Sequence, residues 1–201
     1  MNQEERREAY LNCVNRSGDA HEARQNAAPD APGLGWQRVI ADTLVARGVT
    51  VAAYVPDSRL QGILAALAGH RVLMRSLTRE EECIGYAAGQ RIAGGRPVVL
   101  MQSSGLGNAV NALGSLAVHY RLGIPLVVSM RGTLGEANPS QIPMGRAAGP
   151  LLSALGIQAF SLRSAAAARQ VTDGVLTLAF DAGECAALML EAELGGGRGS
   201  S

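Results

Sequence analysis

Residues 96–108 read RPVVLMQSSGLGN, and this stretch decides the fold. The continuously apolar run from Pro97 to Met101 is typical of a parallel strand that is buried on both faces of a sheet. A polar turn with Gly105 and Gly107 follows and leads into a helical pattern. A strand that enters a helix through a glycine-rich turn is typical of α/β proteins, whose ligands bind beyond the carboxyl ends of the strands.

The same alternation of strand and helix extends on both sides of this stretch. Further strands are predicted in VTVAAYVP from Val49, HRVLMRSL from His70, IPLVVSMRG from Ile124 and ECAALMLEAEL from Glu184. Helices are predicted to begin near Trp36, Ser58, Arg79, Gly105 and Ala147, and a last helix to run from Ala165 to Phe180. This order predicts an α/β fold with a doubly wound parallel sheet and helices on both of its faces.

The two ends of the chain differ in composition from the region between them. Residues 1–34 are rich in charged side chains and include AAPDAPGLG, so we expect a disordered polar tail. The terminal residues 195–201 are mostly Gly and Ser and are expected to form a flexible terminus. A single folded domain is therefore predicted over residues 35–194.

The charge balance excludes several classes of function. The chain has 18 basic and 17 acidic side chains and a net charge of +1, which is unlike a nucleic-acid or anionic-membrane binder. Every basic residue is Arg, so a lysine Schiff base and a P-loop lysine are excluded. No apolar run is long enough to span a membrane, and charges occupy the start, where a signal peptide would be apolar. We therefore expect a cytoplasmic protein.

Cysteine and histidine spacing argues against a disulfide framework and against a metal site within this chain. Cys13, Cys83 and Cys185 are odd in number and widely spaced, which favours a reducing compartment. The three histidines show no spacing that would bring two of them to one metal. Cys83 and Cys185 lie in apolar patterns and are expected to be buried and inert.

Polar residues follow the first two predicted strands. Asp57 or Ser58 is a candidate helix cap. After the second strand, Thr78 is a candidate cap, with Glu81 completing a capping box. Glu80 lies closest to the strand end, but the residues alone do not choose it over Glu81 or Glu82, since three carboxylates in a first turn also suit the helix dipole.

The turns after the third and fourth strands hold the other candidates. GLGNAV, from Gly105 to Val110, lacks the third glycine of GxGxxG and follows the wrong strand, which disfavours a nucleotide-binding Rossmann protein. Arg131 is equally consistent with a clamp for an anionic substrate and with a structural salt bridge. The long loop after Arg131 is typical of a functional segment. His119 and Tyr120 are expected to be packing residues.

Four stretches together resemble one known family: YVPDS, LTREEECIGYAAGQRIAGGRPVVLMQSSGLGNAVNALGSL, GIPLVVSMRGTLGE and PSQIPMGRA. They are similar to the pyrimidine-binding domain of thiamine diphosphate decarboxylases, in particular the alpha subunits that act on sulfopyruvate and the matching part of the enzymes that act on phosphonopyruvate. The resemblance implies decarboxylation of a 2-oxo acid with an anionic tail. Carboligation with the same cofactor and a non-catalytic binding module with this fold are the alternatives.

The resemblance also implies roles for individual residues. The family's catalytic glutamate falls on Glu80, whose carboxyl group would bond the aminopyrimidine ring of the cofactor and promote removal of the thiazolium proton. The other implied cofactor contacts are Pro56, Ser104, Gly105, Leu106, Gly107 and Asn108. Asp57, Ser58, Arg131 and Gln141 are implied to face the substrate, with Arg59 and Arg146 as other candidates for its tail. Cys83 stands where the family usually has Gly.

A motif that is missing implies a partner. The family holds the diphosphate through magnesium with a GDG motif and a later Asn in a separate domain, and this sequence contains no GDG. The resemblance therefore implies a hetero-oligomer with a beta subunit, which would supply the diphosphate-binding domain and the magnesium ligands. Thiamine diphosphate would then lie between the two subunits.

Overall fold

The computed structural model describes residues 35–133 and 135–195, and the expected tail at 1–34 lies outside them. The helices are α1 Gly35–Ala46, α2 Gln61–Ala68, α3 Glu80–Ile92, α4 Leu106–Ala112, α5 Ile142–Ala154 and α6 Ala168–Phe180. The strands are β1 Val51–Tyr54, β2 Leu73–Ser76, β3 Pro97–Gln102, β4 Pro125–Ser129, β5 Gln158–Leu162 and β6 Ala186–Leu190. A π-helical segment, Leu113–Val118, continues α4, and short 3₁₀ turns are Pro139–Gln141, Ala165–Ala167 and Ala192–Gly195.

All six strands form one sheet in the order β2-β1-β3-β4-β6-β5, and every neighbouring pair is parallel. The connections after β1 and β3 run in opposite directions along the sheet. A crevice between the carboxyl ends of two such strands is the usual ligand site of a doubly wound sheet. The predicted fold class is confirmed, and the expected ligand edge is the one that precedes α2, α3 and α4.

Two hydrophobic cores cover the two faces of the sheet. Side chains of α3, α4 and α5 pack on one face, and side chains of α1, α2 and α6 pack on the other. The central strands β3, β4 and β6 are buried almost throughout, which explains their continuous apolar runs. No helix among the described residues is long and apolar enough to cross a membrane.

The structure corrects the sequence prediction at several elements. Strand β5 was not predicted, because it is an edge strand with Gln158–Ser161 exposed and has no continuous apolar run. Helix α5 begins at Ile142 rather than at Ala147; Pro143 is tolerated there because the first turn needs no backbone donor. Helix α2 begins at Gln61, after a turn rather than a cap at Asp57 or Ser58.

The start of α3 differs by one residue from the predicted capping box. Arg79 rather than Thr78 flanks the helix, so the carboxylate that returns to its start is that of Glu82 and not of Glu81. Glu82 Oε2 accepts from the backbone N of Thr78 at 3.2 Å, from Thr78 Oγ1 at 2.9 Å and from the backbone N of Arg79 at 3.3 Å. Donation by the Thr78 hydroxyl is the main cause of the lowered pKa of Glu82.

Candidate functional site

Glu80 is the buried member of the three glutamates that open α3. It is 7% exposed and lies at the carboxyl edge of the sheet, just after β2. Asn108 Nδ2, on α4, donates to Glu80 Oε2 at 3.0 Å, whereas Oε1 bonds no described residue. Glu81 instead pairs with Arg79 at 2.6 Å. The structure therefore distinguishes Glu80 from its neighbours, which the pattern of residues did not.

The turn after β3 forms a wall against the Glu80 carboxyl group. A Cβ added at Gly105 would overlap the carboxyl and Cγ atoms of Glu80, so the glycine is needed for this close approach. Gly105 immediately precedes α4, which places Asn108 in its first turn. Leu106, another predicted cofactor contact, is fully buried in the core.

A second group of polar side chains lies at the ends of β1 and β4, centred on Asp57. The Asp57 side chain is 6% exposed. Its Oδ1 accepts from the backbone N of Arg59 and from Ser129 Oγ, both at 3.0 Å. Its Oδ2 pairs with Arg131 Nη2 at 2.8 Å. The sequence left open a clamp or a salt bridge for Arg131, and the structure shows the salt bridge.

Arg131 nevertheless keeps 24% of its side chain exposed. Its Nη2 also donates to Ser58 Oγ at 3.2 Å, and Nη1 bonds no described residue. The backbone N of Arg131 donates to Ser103 Oγ at 3.0 Å. Ser103 directly follows β3 and Ser129 ends β4, and both are buried and hold this cluster in place. The sequence analysis did not select either residue, although a Ser at the end of an apolar run was a signal for such a role.

Arg59 is part of the same cluster but is already engaged with the backbone. Its Nη1 donates to the Met130 carbonyl, and its Nη2 donates to the Glu191 carbonyl at 3.0 Å. Burial, followed by the neighbouring charge of Arg131, lowers the pKa of Arg59. Arg59 therefore links the loop after β1 to the ends of β4 and β6, and both of its terminal nitrogens are already hydrogen-bonded.

The loop after β4 is organised by Glu136. The backbone N of Asn138 donates to Glu136 Oε1 at 3.0 Å, and that of Gly132 donates to Oε2 at 3.2 Å. These backbone bonds, that of Asn138 first, lower the pKa of Glu136. Gly132 has φ +70°, and a Cβ there would overlap the Gln141 carbonyl, so the start of α5 packs closely on this loop.

The remaining predicted residues are less closely joined to these groups. Pro56 and Gly107 are exposed and Ser104 is half-buried, all of them at the carboxyl edge. Gln141 Oε1 is buried without a hydrogen-bond partner among the described residues. Arg146 is exposed on α5. His119 and Tyr120, which were expected to pack at a helix end, are exposed directly after the segment that continues α4, and their rings contact each other edge to face.

Two buried thiols lie in the described region, as predicted. Cys83 is on α3 beside Glu80, and Cys185 precedes β6. Burial, followed by the charge of Glu80, raises the pKa of Cys83 to about 12. Cys83 is therefore a thiol at neutral pH and has a packing role. Residues 35–133 and 135–195 contain no group of three or more His, Cys, Asp or Glu that would hold a metal.

Comparison with known proteins identifies the family. Residues 36–132 match the model of the thiamine pyrophosphate enzyme N-terminal TPP-binding domain. Sulfopyruvate decarboxylase subunit alpha of Methanothermobacter thermautotrophicus is 39% identical over 145 residues, which cover 72% of this chain and 88% of that protein. This chain belongs to the thiamine pyrophosphate enzyme family. The resemblance seen in the sequence is thereby confirmed.

Other members of the family are similar over a shorter part of their length. The alpha subunit from Methanococcus maripaludis is 40% identical over 57% of this chain and 69% of its own. Phosphonopyruvate decarboxylase of Streptomyces viridochromogenes is 35% identical over 54% of this chain but only 28% of its own. The chain therefore matches about a quarter of that longer member of the family.

A solved structure supports the fold. The 2-oxoglutarate:ferredoxin oxidoreductase of Magnetococcus marinus superposes with a TM-score of 0.63 at 14% identity and covers 80% of this chain and 29% of the other. At this identity the likeness shows the fold alone.

Proposed function

We propose that this chain is the alpha subunit of a heteromeric thiamine diphosphate-dependent decarboxylase of a 2-oxo acid with an anionic tail, such as sulfopyruvate or phosphonopyruvate. The observation that supports this most is Glu80, a buried carboxyl group at the ligand edge of the sheet with one oxygen unbonded by the described residues. It lies in a chain that matches the TPP-binding domain over residues 36–132.

The residues around Glu80 fit the aminopyrimidine end of the cofactor. Asn108 orients the carboxyl group through Oε2, which leaves Oε1 for a ring nitrogen. Gly105 presents bare backbone beside that carboxyl group, and a flat ring can approach such a surface closely. When bound, the cofactor supplies the electron sink for loss of carbon dioxide. Glu80 holds and moves the proton at the ring nitrogen, which is general acid–base work for a positioned carboxyl group.

Arg131 is the proposed contact for the tail of the substrate. Its Nη2 is held by Asp57 and Ser58, its side chain is partly exposed, and its Nη1 bonds no described residue. A charge-assisted bond from a guanidinium is an efficient replacement for the water that an anionic oxygen loses. We infer that Arg59 does not compete for this role, because both of its terminal nitrogens donate to backbone carbonyls.

Binding the diphosphate end of the cofactor requires groups that the described part of this chain does not supply. The sequence contains no GDG motif, and the described residues hold no cluster of metal-ligating side chains. We infer that a beta subunit supplies the diphosphate-binding domain and the magnesium ligands, and that the cofactor lies between the subunits. A cytoplasmic location remains a prediction from the sequence, based on the charged residues at its start and on the cysteine spacing.

Reconstitution tests this function directly. The chain is assayed alone and after co-expression with a partner that contains GDG and a later Asn, with thiamine diphosphate and magnesium present. We expect release of carbon dioxide and the aldehyde from sulfopyruvate or phosphonopyruvate only with both chains, because neither has a whole cofactor site. Decarboxylation by this chain alone would contradict the division of the site, and a carbon–carbon bonded product would favour carboligation.

A further inference from the structure

The charges around Arg131 bear on which anionic tail the site accepts. Asp57 contacts Arg131 directly, with 2.8 Å between Oδ2 and Nη2. Asp57 is also held by the backbone N of Arg59 and by Ser129 Oγ, so it cannot turn away when a ligand arrives without losing three hydrogen bonds. A tail that contacts Arg131 therefore lies beside a fixed carboxylate.

The described charged side chains around Asp57 and Arg131 have no excess of positive charge. Arg59 and Arg131 are its cations, while Asp57, Glu136 and Glu191 all lie close enough to influence Arg59. Glu191 is buried and accepts from Ser161 Oγ at 2.5 Å. The two described histidines, His70 and His119, precede β2 and β4, so both lie at the opposite edge of the sheet. No described imidazole can therefore add positive charge here at mildly acidic pH.

We propose that Asp57 is a specificity-determining residue, which restricts the substrate tail at Arg131 to a single negative charge. This inference rests on the proposed function and adds to it a choice between substrates. A sulfonate has one negative charge at all pH values used for assays. A phosphonate gains a second charge on ionisation, which for a phosphate group occurs at about pH 6. Repulsion between that second charge and the buried Asp57 carboxylate disfavours the dianion.

The test compares kcat/KM for phosphonopyruvate and sulfopyruvate in the wild-type complex between pH 6 and 8.5. We expect the phosphonopyruvate-to-sulfopyruvate ratio to fall by about tenfold per pH unit above the second ionisation of the phosphonate, because only the monoanionic tail is accepted. Taking the ratio removes any pH dependence that the two substrates share. This measurement needs no variant, so it decides the question even if Asp57 proves essential for folding.

Asp57→Asn provides the second measurement. The amide has the same shape, and its oxygen can still accept from the backbone N of Arg59 and from Ser129 Oγ, but it lacks the charge that pairs with Arg131. At pH 8 we expect the ratio to rise at least tenfold and its pH dependence to flatten. Asp173→Asn is the matched control, because Asp173 is also paired with an arginine, Arg47, at 3.3 Å, but on the face formed by α1 and α6. It should leave the ratio unchanged.

The outcomes distinguish failure of the role of Asp57 from failure of the proposed decarboxylase function. A ratio that does not change with pH in the wild type, or that is the same in Asp57→Asn and the wild type, would overturn the role of Asp57 while leaving the decarboxylase intact. If the wild-type complex decarboxylated neither acid, the proposed function would fail and this inference with it. A falling ratio in the wild type and a raised ratio in Asp57→Asn would support both.

Discussion

Gly105 has no side chain, and this leaves room for the carboxyl group of Glu80, the candidate catalytic residue. Its backbone angles are φ −69° and ψ −22°, which any residue adopts, so steric contact with Glu80 is the remaining reason for a glycine. We expect Gly105→Ala to displace the Glu80 carboxyl group and to destabilise the chain by about 1–3 kcal/mol, as overpacking does. Urea unfolding would measure the loss of stability, and turnover of the assembled complex should fall with it.

Gly107→Ala is the matched control two residues along the same turn. The new Cβ would lie 2.7 Å from the terminal methyl of Met144, which can rotate away. We therefore expect little change in stability from this variant. Equal losses in the two variants would show that the position of Glu80 does not depend on Gly105.

The local sequence could not show which of the three glutamates is the candidate catalytic residue. Glu80, Glu81 and Glu82 are equivalent as first-turn acids, and only the resemblance to a family selected Glu80. In the structure, Glu81 pairs with Arg79 and Glu82 closes the helix start, while Glu80 is buried against a turn 25 residues further along the chain. A contact between residues so distant in sequence has no local signal. The same reason explains why the backbone role of Arg59 was not predicted.

Among the larger elements, the loop between β4 and α5 depends on the Glu136 carboxylate. The folded state lowers the pKa of Glu136, so its contribution to stability is present above the unfolded value and is lost as the pH falls through the folded value. We expect Glu136→Gln to be less stable than the wild type at pH 7, and the difference to shrink as the pH falls below about 4.5. Thermal unfolding at several pH values would measure this.

Glu193→Gln is a suitable control for the loop, because Glu193 is exposed and accepts no hydrogen bond from the described residues. It should show no such pH-dependent difference. A stability difference for Glu136→Gln that stays constant between pH 7 and pH 4 would mean that the Glu136 charge is not what holds the loop.

The helices and strands that were predicted correctly are those whose burial gives the sequence a clear apolar pattern. The central strands β3, β4 and β6 have apolar residues on both faces and were predicted from that run alone. Strand β5 pairs with only one neighbour, and most of it is exposed, so its composition resembles a loop. The early start of α5 escapes prediction for a different reason: a proline such as Pro143 is typical of a loop, but it also suits the first turn of a helix.

On the scale of the whole molecule, the sheet brings two functional groups to one edge. Glu80 follows β2, while Asp57 and Arg131 follow β1 and β4. The order of strands in the sheet puts β1 between β2 and β3, so loops that are distant in sequence become neighbours. The resulting edge holds the carboxyl group that we propose for the cofactor and the guanidinium that we propose for the substrate, but the sequence has no GDG motif for the diphosphate. This division is what makes the chain half of a proposed shared site.

The most direct test of the central claim follows the thiazolium C2 proton of thiamine diphosphate in the assembled complex. Its exchange with deuterium would be measured by quenched-flow NMR for the wild type, Glu80→Gln and Glu81→Gln, with bound cofactor quantified in each. We predict that Glu80→Gln slows exchange by about 10²–10⁴-fold, the usual range for a lost general acid–base group, while Glu81→Gln stays near the wild type. Wild-type exchange in a Glu80→Gln complex that still binds the cofactor would contradict the account.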